Sequence, residues 1–115
     1  MCIRDRFKIS KKKIKTFHDS CGTIREIFSC KDFSISHVIV ERGTKEHKHN
    51  FMKEFYYIEK GRGNVFIDNK LVKVEKGDFV IIPTGKWHKI VPECTMHIIV
   101  FNLPKFNRAD MIYKE

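Results

Sequence analysis

Three histidines and one glutamate are the residues of this chain whose types and spacing best support chemistry. One group reads Gly43-(x)3-His47-x-His49-(x)4-Glu54-(x)6-Gly61, and the other reads Gly77-(x)5-Pro83-x-Gly85-(x)2-His88. Imidazole nitrogens with one carboxylate oxygen form the ligand set of a single borderline divalent metal ion: Fe, Mn, Ni, Zn or Cu. Four protein ligands in a six-coordinate site leave two positions for water, oxygen or a chelating substrate. Such an open arrangement suits catalysis, because structural sites are usually closed.

Strands are the elements that would position these residues. His47 and His49 are two apart, so on an extended chain both side chains leave the same face. Asn50–Lys53 can turn the chain, letting Glu54 open the next strand toward the same interior. His88 arrives from far down the chain after Pro83-Thr84-Gly85, a tight-turn signal. Further runs rich in β-branched and aromatic residues cover 23–28, 33–42, 54–59, 65–68, 71–75, 79–82, 88–91 and 96–101. Asp68-Asn69 reads as a two-residue hairpin turn. Eight or more short strands at turn spacings near ~10 residues indicate an all-β barrel or sandwich.

These two groups resemble the paired motifs of the cupin superfamily, and the chain resembles a small single-domain metal-binding cupin, an RmlC-like jelly roll. Gly43, His47, His49, Glu54, Gly61, Gly77, Pro83, Gly85 and His88 carry the resemblance. It departs from the pattern in two places. Three residues rather than five separate Gly43 from His47, and Pro92 stands where the pattern has Asn. The match covers residues 43–92 directly, and the strand pattern extends it over 21–106. The resemblance implies a double-stranded β-helix barrel with His47, His49, Glu54 and His88 as metal ligands. Cupins include dioxygenases, sugar-phosphate isomerases, epimerases, decarboxylases, storage proteins and sensors, so the fold selects none of these. The complete ligand set points to a small metal-dependent enzyme, of dioxygenase or isomerase type, acting on a small polar or anionic molecule. The alternative is a non-catalytic cupin that binds or senses a small molecule.

Other residues are candidates for the walls of such a cavity. Tyr56 follows Glu54 by two and shares its face, a candidate for substrate binding or catalysis. His37 and His97 lie on predicted strands, either as acid–base groups near neutral pH or as ordinary hydrogen-bonded strand residues. Lys45 and Lys86 each precede a ligand histidine by two, so either could stand at the rim and attract an anion. Phe55 and Tyr57 point the opposite way from Glu54, toward a partner sheet or a homodimer interface. Trp87 has opposite parity to His88 and reads as core or interface rather than a substrate-stacking group.

A length of 115 residues fits one domain. Residues 1–6, Met-Cys-Ile-Arg-Asp-Arg, read as the translation of a sequencing-library adapter in a metagenomic reading frame, so the natural N-terminus could differ. Setting them aside removes Arg4, Arg6 and Asp5, so the net charge of +9 becomes 9 − 2 + 1 = +8. Residues 7–20 form a basic lead-in with Lys8, Lys11, Lys12, Lys13 and Lys15, and residues 107–115 form a C-terminal tail. No aromatic side chain interleaves the lysine run, which argues against nucleic-acid binding. No run approaches the roughly 18 apolar residues of a membrane span, and no signal peptide opens the chain. The four cysteines form no CxxC pair and read as reduced thiols of a cytoplasmic protein.

Overall fold

The computed structural model describes residues 8–11, 14–19 and 22–115, so the adapter-like segment 1–6 lies outside the described residues. Two antiparallel sheets face each other. The first contains, in spatial order, β1 (Lys15–Asp19), β2 (Gly22–Ser29), β3 (Ser34–Val40), β10 (Met96–Leu103), β5 (Lys53–Lys60) and β8 (Phe79–Ile82). The second contains β11 (Ile112–Tyr113), β4 (His47–Lys48), β9 (His88–Pro92), β6 (Arg62–Ile67) and β7 (Lys70–Glu75). The sheets remain separate rather than closing into one hydrogen-bonded cylinder, and the architecture is that of a jelly roll. Among the described residues no helix is long and apolar enough to cross a membrane.

Strand alternation sets the interior. On β10, Met96, Ile98, Val100 and Asn102 are buried, while Phe101 and Leu103 face out. On β5 the inward row is Glu54, Tyr56 and Ile58, and on β3 it includes Ser34, Ser36, Val38 and Val40. Val40, Ile58, Val65, Met96 and Ile98 are fully enclosed. Truncating one such side chain removes its transfer energy and leaves a cavity. Ile98→Ala is therefore expected to cost about 2–5 kcal/mol, read as a lower urea midpoint with unchanged slope.

The turns follow the chemistry of their residues. Asp68 and Asn69 have φ of 46° and 68°, the left-handed pair of a type I′ hairpin, and they join β6 to β7. Gly61 has φ of 84°, and a Cβ there would lie 2.4 Å from the Thr95 carbonyl oxygen, so only glycine fits. Gly43, by contrast, has no positive φ and no close neighbour, so it makes no such turn.

The fold extends beyond 21–106 at both ends. β1 begins at Lys15, inside the basic lead-in, and pairs with β2 along its whole length, with Phe17 packed against the core. At the other end, Arg108–Asp110 forms a 3-10 turn and β11 pairs with β4, so the tail is part of the second sheet. Neither end shows a long alternating pattern. Hydrogen bonds, including those of a buried aspartate, hold the C-terminal segment rather than apolar periodicity.

Candidate metal centre

His47 and His88 are direct partners across β4 and β9, which brings their rings to a centroid separation of 4.3 Å. His49 lies just past β4, its ring 5.2 Å from His47 and 5.1 Å from His88. Glu54 comes from the facing sheet, as the first inward residue of β5. One ligand atom from each of the four lies within 4.8 Å of all the others, and all four residues are buried. Both sheets thus contribute to a single point.

The tautomers are decided by the backbone. Nδ1–H of His47 donates to the Lys45 carbonyl at 2.8 Å, that of His49 to the Asp110 carbonyl at 3.0 Å, and that of His88 to the Lys86 carbonyl at 2.9 Å. With Nδ1 held by a carbonyl, Nε2 is the nitrogen each ring has left for the centre, and that of His49 donates to Glu54 here. Burial, reinforced by neighbouring His88, pushes His47 down to about 4, so this ring is neutral at pH 7. Burial opposes charge on Glu54, yet its contacts with the histidines, His49 foremost, hold the carboxyl below the usual range. Burial also works against a charged His49, and the hydrogen bond to Glu54 outweighs it and raises that ring. His88 Nε2 lies 3.4 Å from Glu54 Oε1 but, among the described residues, has no hydrogen-bond partner. A buried lone pair facing a carboxylate oxygen is costly unless a cation lies between them. The donor set therefore fits a divalent metal.

Comparison with known proteins agrees. The Cupin_2 family model, which describes the cupin domain, matches residues 36–100, more than half of the chain. The chain belongs to the cupin family. The uncharacterized protein MJ1618 of Methanocaldococcus jannaschii is 33% identical over 108 residues, covering 85% of this cupin and 86% of MJ1618. Among solved structures, the nucleoside dehydratase Pac13 of Streptomyces superposes with a TM-score of 0.83 at 18% identity, over 96% of this chain and 92% of that one. The polyketide cyclase RemF of Streptomyces resistomycificus superposes with a TM-score of 0.78 at 17% identity, over 96% and 86% of the two chains.

Beside the quartet this cupin holds a cavity of about 50 Å³, which His47 and Glu54 join to the centre. Tyr56 lines it, on the same face as Glu54, and is buried. Most of the remaining wall is apolar, with Ile24, Val38, Ile98 and Val100 among its residues. Asn102 also lines it and is 2% exposed. It is absent from the candidates drawn from sequence, although its place after Met96, Ile98 and Val100 in an alternating row is a signal that marks it as inward.

Four candidates lie elsewhere. Lys45 and Lys86 are exposed and neither lines the cavity, a correction to the expectation of a cationic rim. Lys86 Nζ pairs with Asp68 at 3.2 Å, and Lys45 Nζ lies 5.8 Å from the Tyr113 ring centre. Their contribution to the centre is the carbonyl that each offers to the histidine two residues on. His37 and His97 have outward parity on β3 and β10, opposite to Ser36, Val38 and Ile98 of the cavity wall. Arg25 donates to His37 Nδ1 at 3.4 Å, so His37 Nε2–H donates onward to His97 Nδ1 at 3.1 Å. This chain of bonds joins the two rings on the face of the sheet opposite the cavity. Trp87 is half-buried, with Lys48 and Lys114 over it at 4.8 Å and 5.6 Å from its ring centre.

Proposed function

We propose that this cupin is a metal-dependent enzyme in which His47, His49, Glu54 and His88 hold one divalent Fe, Mn, Ni, Zn or Cu ion. The adjoining cavity takes a small polar molecule for oxygenation or isomerisation. The observation that carries this reading is the common arrangement of the three rings: each is locked by a backbone carbonyl, and a ligand atom of each lies within 4.8 Å of those of the others and of Glu54. A metal held there would supply Lewis acidity or an oxygen-binding position. The chain's own residues would do the rest. The apolar wall excludes bulk water and strengthens polar contacts inside it. Tyr56, two residues beyond Glu54, offers a phenol that can orient a substrate oxygen or deliver a proton to it. The enzymes among its structural neighbours, a dehydratase and a cyclase, support small-molecule chemistry in this fold. Elemental analysis of purified protein should find near-stoichiometric metal, with oxygen-uptake and sugar-isomerase screens assigning the reaction. Protein that stays metal-free after incubation with each of the five ions would overturn the proposal.

We also propose a homodimer working in the cytoplasm. Phe55, Tyr57, Phe79, Ile81, Ile99 and Phe101 are cross-strand neighbours on the outer face of the six-stranded sheet. Phe79 is 76% exposed and Ile81 61%. A contiguous apolar patch of this kind calls for a partner, and an identical sheet supplies one. Light scattering should give about twice the chain mass of 13.7 kDa. A single-chain mass across micromolar concentrations would count against pairing. The free thiol of Cys94 supports a reducing compartment.

A further inference from the structure

We infer that the outer face of the six-stranded sheet carries an exchangeable zinc site, separate from the buried quartet, in which His37, His97 and Glu59 hold the ion. The ligand atoms are His37 Nε2, His97 Nδ1 and a Glu59 carboxylate oxygen, and a water takes the fourth position. None of these groups belongs to the centre inside the fold.

Three adjacent strands supply the geometry. β3, β10 and β5 lie side by side, and His37 pairs with Ile99 while Ile39 pairs with His97. The two histidines are thus diagonal neighbours on one face, a separation that long side chains bridge. Their rings stack at a centroid distance of 5.1 Å, and His37 Nε2 faces His97 Nδ1 at 3.1 Å. Glu59 reaches them through an irregularity in the ladder. Ile58 pairs with Ile98 but Lys60 pairs with His97, so Glu59 is the extra residue of a bulge, a device that re-aims a side chain. One ligand atom from each of the three lies within 4.8 Å of the other two. Glu59 is exposed, so its side chain can swing the rest of the way.

The chemistry matches that spacing. Zinc takes imidazole nitrogens at about 2.0–2.1 Å in a tetrahedron, which sets two of them about 3.3 Å apart. Two imidazoles and one carboxylate are a known three-ligand set for zinc, with water in the fourth position. Without metal, the proton on His37 Nε2 bridges the two nitrogens. On binding, that proton moves to Nδ1, both rings stay neutral, and Arg25, which donates to Nδ1 at 3.4 Å, turns away. Glu59 sets its negative charge against the positive charge of Arg25. Burial lowers His37 from its ordinary 6.5, which keeps the ring neutral at pH 7. His37 is 9% exposed, and the half-buried Ile39 and Ile99 complete the other diagonal, so little water competes for its nitrogen. With one ligand fewer than the quartet, and one of its three exposed, this site fills only at zinc concentrations above those that saturate the quartet.

The test is a zinc titration of full-length 15N-labelled protein, stripped with EDTA and dialysed, read at the individual histidine ring nitrogens. The quartet binds through Nε2, so a shift of His97 Nδ1 is a signature that the buried centre does not produce. His97 Nδ1 and His37 Nε2 should move together and saturably, with half-saturation below about 100 μM zinc. Glu59→Gln should weaken this binding at least about tenfold, the lower end of the loss when even a group that orients a ligand is removed. His97→Gln should leave His37 unmoved by zinc. If His97→Gln does not fold, the wild-type spectra and Glu59→Gln, altered at an exposed position, still decide. A stationary His97 Nδ1 up to that concentration, or undiminished affinity in Glu59→Gln, would overturn the inference. If the Nε2 signals of His47, His49 and His88 do not respond, only the reading of the buried centre fails, and His97 Nδ1 decides the outer site by the same criteria.

Discussion

Glu54→Gln is expected to abolish metal retention while leaving the fold intact. Glu54 is the single anion among four buried ligand groups, so its loss leaves a divalent ion facing three neutral imidazoles in an enclosure of low polarity. Glutamine has the same shape, and its amide can still donate to His49 Nε2, so the metal-free protein keeps a satisfied centre. His49→Ala should also release metal, with a different structural cost. It removes the closest partner of Glu54 and strands a buried carboxylate, an effect worth about 3–5 kcal/mol when nothing replaces the partner. The two variants thus separate ligation from stability. Added Zn should raise the melting temperature of the wild type, since ion at ~1,000 times its dissociation constant stabilises by about 4 kcal/mol. Neither variant should respond. Acidification should release metal from the wild type, because protons compete for the same Nε2 lone pairs. A Zn-induced stabilisation of Glu54→Gln equal to that of the wild type would remove Glu54 from the ligand set.

Much of this centre is legible in the amino-acid sequence alone. The types of His47, His49, Glu54 and His88 define the chemistry, and the glycines that punctuate them mark where strands must turn. Parity puts Tyr56 on the Glu54 face, where the cavity lies. Parity does not settle His37 and His97, for a physical reason. β3 and β10 carry large apolar residues on both faces, with Ile35, Ile39, Ile99 and Phe101 outward, so alternation alone does not say which side is core. Lys45 and Lys86 mislead because a side chain announces itself by type, whereas their part is played by a backbone carbonyl that any residue carries. The hairpin at Asp68-Asn69 is legible because both residues tolerate positive φ. The C-terminal segment gives no comparable signal. Its contacts reach back about 60 residues, and nothing local in Arg108–Tyr113 announces them.

That segment carries the second large effect. The Asp110 carboxylate accepts from the backbone N–H groups of Asn50, Phe51 and Met52 at 2.8, 3.0 and 2.9 Å, while its carbonyl accepts from His49 Nδ1. One residue therefore ties the loop between His49 and Glu54 to the ring it must aim. Asp110→Ala leaves three donors of that loop without their acceptor. The expected loss is about 2–4 kcal/mol, short of a full penalty for each bond because water can reach part of the loop. Burial pushes the Asp110 carboxyl up, but the three N–H groups outweigh it and hold it below its ordinary 3.8. Its stabilisation is accordingly complete above that value and is lost as pH falls through the lower folded one. Metal affinity should fall by about 10–100-fold, the usual cost of removing a group that orients a ligand, rather than vanish as with Glu54→Gln. Chelator competition would measure the affinity, and 15N spectra of the histidine rings would report whether Nδ1 of His49 still holds the proton. A destabilised variant that keeps both wild-type metal affinity and the His49 tautomer would reduce Asp110 to a loop anchor. Loss of affinity together with a mixed tautomer would place the control of His49 in the last turn of the chain, which holds the loop that leads into the strand of Glu54.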